Sequence, residues 1–173
     1  MRHWQQHYSE SRQSMTSVLF LCHGNICRSP MAEFIFLALA RAKGLADKVH
    51  VESMAVSTEE IGNRIYPPAR QCLRQHGVWF DPDRTARQVT GQDCLRFDMI
   101  ICMDRSNMRW LDSIIDRSGL TQAQKDECRS KVRLMMSFCG KQRDVADPWY
   151  TDDFETTFQD VLCACEALIA TLM

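Results

Sequence analysis

Apolar positions along the chain follow two alternating rhythms. Residues 18–21, Val18-Leu19-Phe20-Leu21, form a short run with no polar member, the mark of a strand buried on both faces. Residues 30–43 then carry Met31, Phe34, Ile35, Leu37 and Leu39 at helical spacing and stop at Gly44, a residue suited to ending a helix. Residues 49–53 read as a second strand, and Pro67-Pro68 open a helix that runs to about His76 and closes at Gly77. A third strand is expected at 97–103, "FDMIICM", after which Asp104 caps a helix bearing Met108, Leu111, Ile114 and Ile115. Residues 131–136, "KVRLMM", make a weaker fourth strand. Asp152 and Asp153 begin a long amphipathic helix through Phe154, Phe158, Val161, Leu162, Leu168 and Ile169.

Strands that alternate with helices imply an α/β layer fold with a mainly parallel sheet. No internal repeat or linker divides the pattern. In such sheets ligands bind beyond the carboxyl ends of the strands, where the strand order switches. The segment after residues 18–21 is therefore the first place to look for chemistry.

A chain of 173 residues with net charge −1 and 25% charged residues is the size of one domain, and no basic excess suggests nucleic acid as a partner. The longest apolar runs fall far short of a membrane span. The first fifteen residues are polar and lack a signal-peptide core, so residues 1–16 are expected to be a disordered extension, with Met15 an alternative start, and residues 17–173 the domain. Nine cysteines, an odd number scattered through apolar or helical stretches, fit a reducing cytoplasm in which most thiols act as small buried hydrophobes. Paired CxxC units are missing, so no metal is expected.

Cys22 and Arg28 stand at the spacing C-x5-R, which alone is a weak signal: about one such pair is expected by chance at this composition. One reading is a strand, a turn and a helix start that happen to hold two cysteines. The other is a phosphate-binding loop made of His23, Gly24, Asn25, Ile26, Cys27 and Arg28. Gly24 allows unusual backbone angles, successive N–H groups of the turn can face an anion, and the helix start adds its positive end. Arg28 matches phosphate oxygens with a planar fork. That field favours the Cys22 thiolate, a nucleophile. Ser29 can donate to the sulfur, and Asn25 can pin the loop from within.

Cleaving a phosphate ester also needs a proton for the departing oxygen. Asp147, ahead of Pro148 and the aromatic pair Trp149-Tyr150, is a candidate acid held in extended or turn backbone. It can equally be an ordinary Asp-Pro turn beside a helix cap.

The segment "VLFLCHGNICRSPMAEFIF" resembles the active-site signature C-x-G-N-x-C-R-S-P-M-A-E of the low-molecular-weight protein tyrosine phosphatases. The resemblance continues through "ARQVTGQDCLRFDMIICMDRSN" at 86–107 and "DPWYTDDFETTF" at 147–158. It implies a single domain with a four-stranded parallel sheet and helices on both faces, and hydrolysis of phosphotyrosine in protein substrates through a phosphocysteine, with no cofactor and no metal. By position, Cys22 would be the nucleophile, Arg28 the phosphate ligand, and Asp147 the acid and then the base. Asn25, Ser29 and Ser53 would support the loop, and Cys27 would be a thiol able to pair with an oxidised Cys22. Glu59, where the family usually has an aromatic wall, would form the substrate rim with Trp149 and Tyr150. Arg84 stands where the family has a histidine, and His76 does not fill that place. A cytoplasmic monomer touching neither nucleic acid nor membrane is expected. Other readings are a phosphoarginine phosphatase, disfavoured by apolar Ile26, and a non-catalytic phosphopeptide-binding module. A third is an arsenate reductase using Cys94 and Cys102 as a relay.

Overall fold

The computed structural model describes residues 15–173; the extension expected at the N-terminus lies, for residues 1–14, outside the described residues. Four strands form one sheet in the order β2-β1-β3-β4, every neighbouring pair parallel: β1 (Thr16–Cys22), β2 (Val49–Ala55), β3 (Met99–Cys102) and β4 (Val132–Leu134). The sheet starts earlier than the apolar run, because Thr16 and Ser17 pair with Val49 and His50. The boundary expected between residues 16 and 17 thus falls inside a strand. From β1 the chain crosses to β2 on one side and later returns to β3 on the other. The carboxyl end of β1, at Cys22, therefore lies at the switch in strand order.

Helices cover both faces. Val18, Phe20 and Cys22 of β1 face a core shared with α1 (Arg28–Ala42), α2 (Pro67–Gln75) and α7 (Phe154–Ala170). Leu19 and Leu21 face a second core built with α3 (Gly91–Arg96), α4 (Arg105–Arg117) and α5 (Gln122–Ser130). Alternate side chains of one strand thus fill two cores, which is why residues 18–21 contain nothing polar.

Several boundaries differ from the sequence pattern for identifiable reasons. β3 is shorter than 97–103 because its ladder with β1 begins at Met99. Phe97 is buried ahead of it, and the Asp98 carboxylate accepts from the Ser17 N–H at 2.8 Å. Met135 and Met136 do not extend β4; they turn into the core in a 3-10 turn, Met135–Cys139, which ends at Gly140 with φ 69°. Asp153 alone caps α7, while Asp152 takes the left-handed conformation (φ 57°) that closes the short helix α6 (Pro148–Thr151). Helices α3 and α5 carry few apolar residues, and periodicity overlooks them. Both have capping boxes, Thr90 with Asp93 and Thr121 with Gln124, which are legible as Thr-x-x-Asp and Thr-x-x-Gln. His76 ends α2, as its place before Gly77 suggests; its ring stacks on Phe158 at 3.7 Å, and Nε2 meets Glu155 at 2.8 Å.

Asp93 offers a test of the fold. Burial raises its pKa, but Arg96 and the N–H and hydroxyl of Thr90 outweigh burial and hold the carboxyl below its usual value of 3.8. A depressed folded-state pKa adds stability above the unfolded value and loses it as pH falls through the folded one. Asp93→Asn is expected to cost about 1 kcal/mol at pH 7 in urea unfolding, with the gap to the parent closing below about pH 4. An equal cost at both pH values would refute this account.

Candidate active site

The first turn of α1 begins at Arg28, two residues ahead of the apolar pattern, so the loop from Cys22 to Cys27 leads directly into a helix N-terminus. Cys22 closes β1 and Cys27 caps α1 without a side-chain bond, leaving the free N–H groups of the first turn at the loop. The Asn25 N–H points back to Cys22 Sγ at 3.3 Å, and the Ser29 hydroxyl lies 3.0 Å from the same sulfur. The Asn25 side-chain amide donates to Ser29 Oγ at 2.8 Å and to Ser53 Oγ at 2.9 Å. Ser53 in turn donates to Glu33 at 2.6 Å. Because Ser29 Oγ already accepts from Asn25, its own proton is free to point at the sulfur.

The special backbone position is Asn25, with φ 60°, rather than Gly24. Asparagine tolerates the left-handed region, and both ends of its side chain are held here. Gly24 has an ordinary φ, and a Cβ there would come within 3.1 Å of Glu60 Cγ, so a side chain would press on Glu60 at the rim.

Arg84, which had no local signal beyond its mismatch with the family pattern, supplies the missing support. Its guanidinium donates to the Asn25 carbonyl at 2.8 Å and to Asn25 Oδ1 on a second nitrogen. Burial pulls the Arg84 pKa down, while Glu33 and Cys22 pull it up; an arginine keeps its charge throughout the working range. Glu33 is likewise pushed up by burial, against the bond from Ser53 and the charge of Arg84.

Arg28 is 2% exposed. One nitrogen donates to Asp104 Oδ2 at 2.8 Å and to the Val145 carbonyl at 2.9 Å, and the other reaches Asp147 Oδ2 at 3.3 Å. Burial works against its charge, but Cys22, Asp147 and Asp104 outweigh it and push the pKa up. Each carboxylate divides its oxygens in the same way. Asp104 Oδ1 caps α4 through the Asn107 N–H, and Asp147 Oδ1 caps α6 through the Trp149 N–H. Asp147 is thus both the Asp-Pro cap and a member of the site, with the extended backbone (φ −78°, ψ 114°) that a following proline imposes. Sequence reading recognised Asp104 only as a cap.

Cys22, His23, Gly24, Ile26, Cys27, Arg28, Glu59, Asp147, Trp149 and Tyr150 line one cavity of about 150 Å³, together with Glu60. Asn25, Ser29 and Ser53 lie behind the loop, fully or almost fully buried. Trp149 packs on Tyr66 at 5.0 Å between ring centroids. His23 Nε2 meets Glu59 at 3.1 Å, with its ring edge-on to Trp110. Burial, then the neighbouring Cys22 and Asp147, push the Cys27 thiol well up. Cys94 and Cys102 are fully buried away from the cavity, and burial raises both thiols, Cys94 to about 12. Neither lines the cavity into which Cys22 opens.

A family model described as low molecular weight phosphotyrosine protein phosphatase matches residues 17–173. The low molecular weight phosphotyrosine protein phosphatase of Sus scrofa is 40% identical over 162 residues, covering 92% of this chain and 97% of the relative. The low molecular weight protein-tyrosine-phosphatase YfkJ of Bacillus subtilis is 39% identical over 160 residues, covering 91% and 96%. The crystal structure of YfkJ matches with a TM-score of 0.82 over 93% of this chain and 96% of that one.

The Arg84 contacts predict that Arg84→Ala weakens binding of inorganic phosphate about tenfold, the loss expected for two charge-assisted bonds that preorganise a loop. Arg84→Lys should not restore it, because an ammonium cannot reproduce the fork that spans the Asn25 carbonyl and Oδ1. Calorimetric titration measures both, and parent-like affinity in the alanine variant would refute the role.

Proposed function

The chain belongs to the low molecular weight phosphotyrosine protein phosphatase family, and from that membership we propose how residues 17–173 hydrolyse phosphotyrosine in protein substrates. The reading rests on one observation: Cys22, Arg28 and Asp147, the last two 119 positions apart in the sequence, line a single cavity at the carboxyl end of β1.

The phosphoryl oxygens of the substrate sit among the N–H groups of residues 23–28, at the positive end of α1. Arg28 turns its fork from Asp147 to the phosphate; the 3.3 Å contact is the longest of its three bonds and the most readily exchanged. Cys22 Sγ attacks phosphorus in line while Asp147 gives its proton to the departing phenolic oxygen. This step forms the S–P bond of a phosphocysteine and breaks the O–P bond. In the second step Asp147 takes a proton from water as its oxygen attacks phosphorus. The S–P bond breaks, inorganic phosphate leaves, and the hydroxyl of Ser29 steadies the returning thiolate. Side chains of this one chain fill every role, so neither a cofactor nor a second subunit is required, and the enzyme works as a monomer. Positioning and fixed charge supply most of the rate.

Ile26, Trp149 and Tyr150 give the phenyl ring apolar contact, and Tyr66 backs Trp149. Opposite them Glu59 and Glu60 make the rim acidic where an aromatic wall is usual. Phosphotyrosine flanked by basic residues suits that rim. Cys27 serves as the thiol that captures an oxidised Cys22; its raised pKa keeps it protonated and passive until then. The cytoplasm is the compartment that nine free thiols fit. Among the described residues no helix is long and apolar enough to cross a membrane.

Hydrolysis of an aryl phosphate across pH tests the roles. Cys22→Ser should lose at least about 10³-fold in kcat. Asp147→Ala should lose roughly 10²–10³-fold and lack the basic limb of the kcat profile. Retained turnover without the Cys22 thiol would overturn the mechanism. For the rim, kcat/KM on a Lys/Arg-flanked phosphotyrosine peptide should exceed that on its Glu/Asp-flanked counterpart by about three- to tenfold at low salt. The preference should shrink in Glu59→Gln and at high salt, because exposed charges are screened.

A further inference from the structure

Away from the residues that line the cavity, the chain holds a second pair of thiols. Cys139 ends the 3-10 turn Met135–Cys139, and Cys163 lies in the middle of α7. Their sulfurs are 2.8 Å apart, within about 0.8 Å of a disulfide bond length. Of the nine cysteines, only Cys139 and Cys163 escape burial among the described residues. One turn along the same helix, Arg143 forms a two-pronged ion pair with Asp160, both bonds at 2.8 Å. Two rungs therefore strap residues 139–143, the segment that leads to Val145 and Asp147, onto α7. Cys165, two residues further on, is fully buried on another face of the helix, aimed at the Ala32 carbonyl.

We propose that Cys139 and Cys163 form a dithiol modification site that small-molecule disulfides convert into an intramolecular disulfide. Cys163 is the exposed partner and reacts first: its thiolate attacks one sulfur of the small disulfide RS–SR, that S–S bond breaks, and RS⁻ departs to take up a proton. Cys139 then loses its proton, attacks the Cys163 sulfur of the mixed disulfide and expels the second RS⁻, which is protonated in turn. One protein S–S bond forms, two RSH molecules leave, and two electrons pass from the protein to the small disulfide. Burial and the adjacent Cys163 raise the Cys139 thiol to about 11, which suits a resolving thiol that waits for the mixed disulfide. Direct contact between the sulfurs replaces a diffusive search, so the intramolecular step is strongly favoured over a lasting mixed disulfide. The new bond would replace the weaker of the two rungs with a covalent one.

The full-length protein, equilibrated in reduced and oxidised glutathione at varied ratios, then alkylated and digested with trypsin, tests this. The expected product is a cross-link between peptides 134–141 and 144–173. It should persist in Cys22→Ser and Cys165→Ser and vanish in Cys163→Ser. Its equilibrium constant should exceed that of the urea-unfolded chain at least tenfold, and oxidation should raise the melting temperature by roughly 5–10 °C in the parent but not in Cys139→Ser. A lasting glutathione adduct on Cys163, a Cys163–Cys165 bond, or an equilibrium constant equal to that of the unfolded chain would each overturn the proposal. Activity is not among the readouts, so the outcome is independent of the catalytic assignment.

Discussion

A guanidinium sealed inside the protein organises this site. A buried charge must be paired and hydrogen-bonded or it becomes a large penalty. Arg28 meets that demand with groups that the sequence keeps far apart: Asp104 after β3, the Val145 carbonyl, and Asp147 before α6. Two carboxylates and a carbonyl together offset the cost of burying that charge. The need to satisfy Arg28 therefore draws the carboxyl ends of β1 and β3 and the 145–147 segment around one point. Both carboxylates also cap helices, so the charge partners are held by backbone as well as by attraction.

Behind the loop, Asn25 has a comparable part in hydrogen bonding. Its backbone is left-handed, its N–H points at Cys22 Sγ, and every polar atom of its side chain is occupied. Arg84 binds both the carbonyl and the amide oxygen of Asn25. A support with a permanent charge holds the loop, so its geometry does not depend on a group that titrates near neutrality. The hydrogen bond from Ser53 to Glu33 completes the set, and Glu33 remains close to the Arg84 charge.

The nine thiols divide by environment more clearly than by spacing. Cys22 closes β1 with the Asn25 N–H and the Ser29 hydroxyl on its sulfur. Cys94 and Cys102 lie in apolar cores, where burial keeps the proton in place. Cys139 and Cys163 face each other at the surface. The same side chain thus meets three different settings, and the dielectric and the charges of each decide what its thiol can do.

Local chemistry made much of this legible from the sequence. The unbroken apolar run at 18–21 announced a strand with two covered faces. Proline, glycine and aspartate marked most helix ends, and C-x5-R between a strand and a helix, with Asp147-Pro148 downstream, marked the site. These signals survive in one dimension because propensity, capping and the backbone effect of proline act within a few residues. Other features depended on contacts between distant segments: the lateral ends of β3 and β4, the left-handed residue being Asn25 rather than Gly24, the role of Arg84, and the meeting of Cys139 with Cys163. Strand length is decided by which residues find a partner across the ladder, and a buried polar group is satisfied by whatever the fold brings within about 3 Å. Asp147 shows the division most clearly. Its proline fixed its backbone locally, but only the packing that brings residue 147 beside residue 28 turned a helix cap into a member of the site.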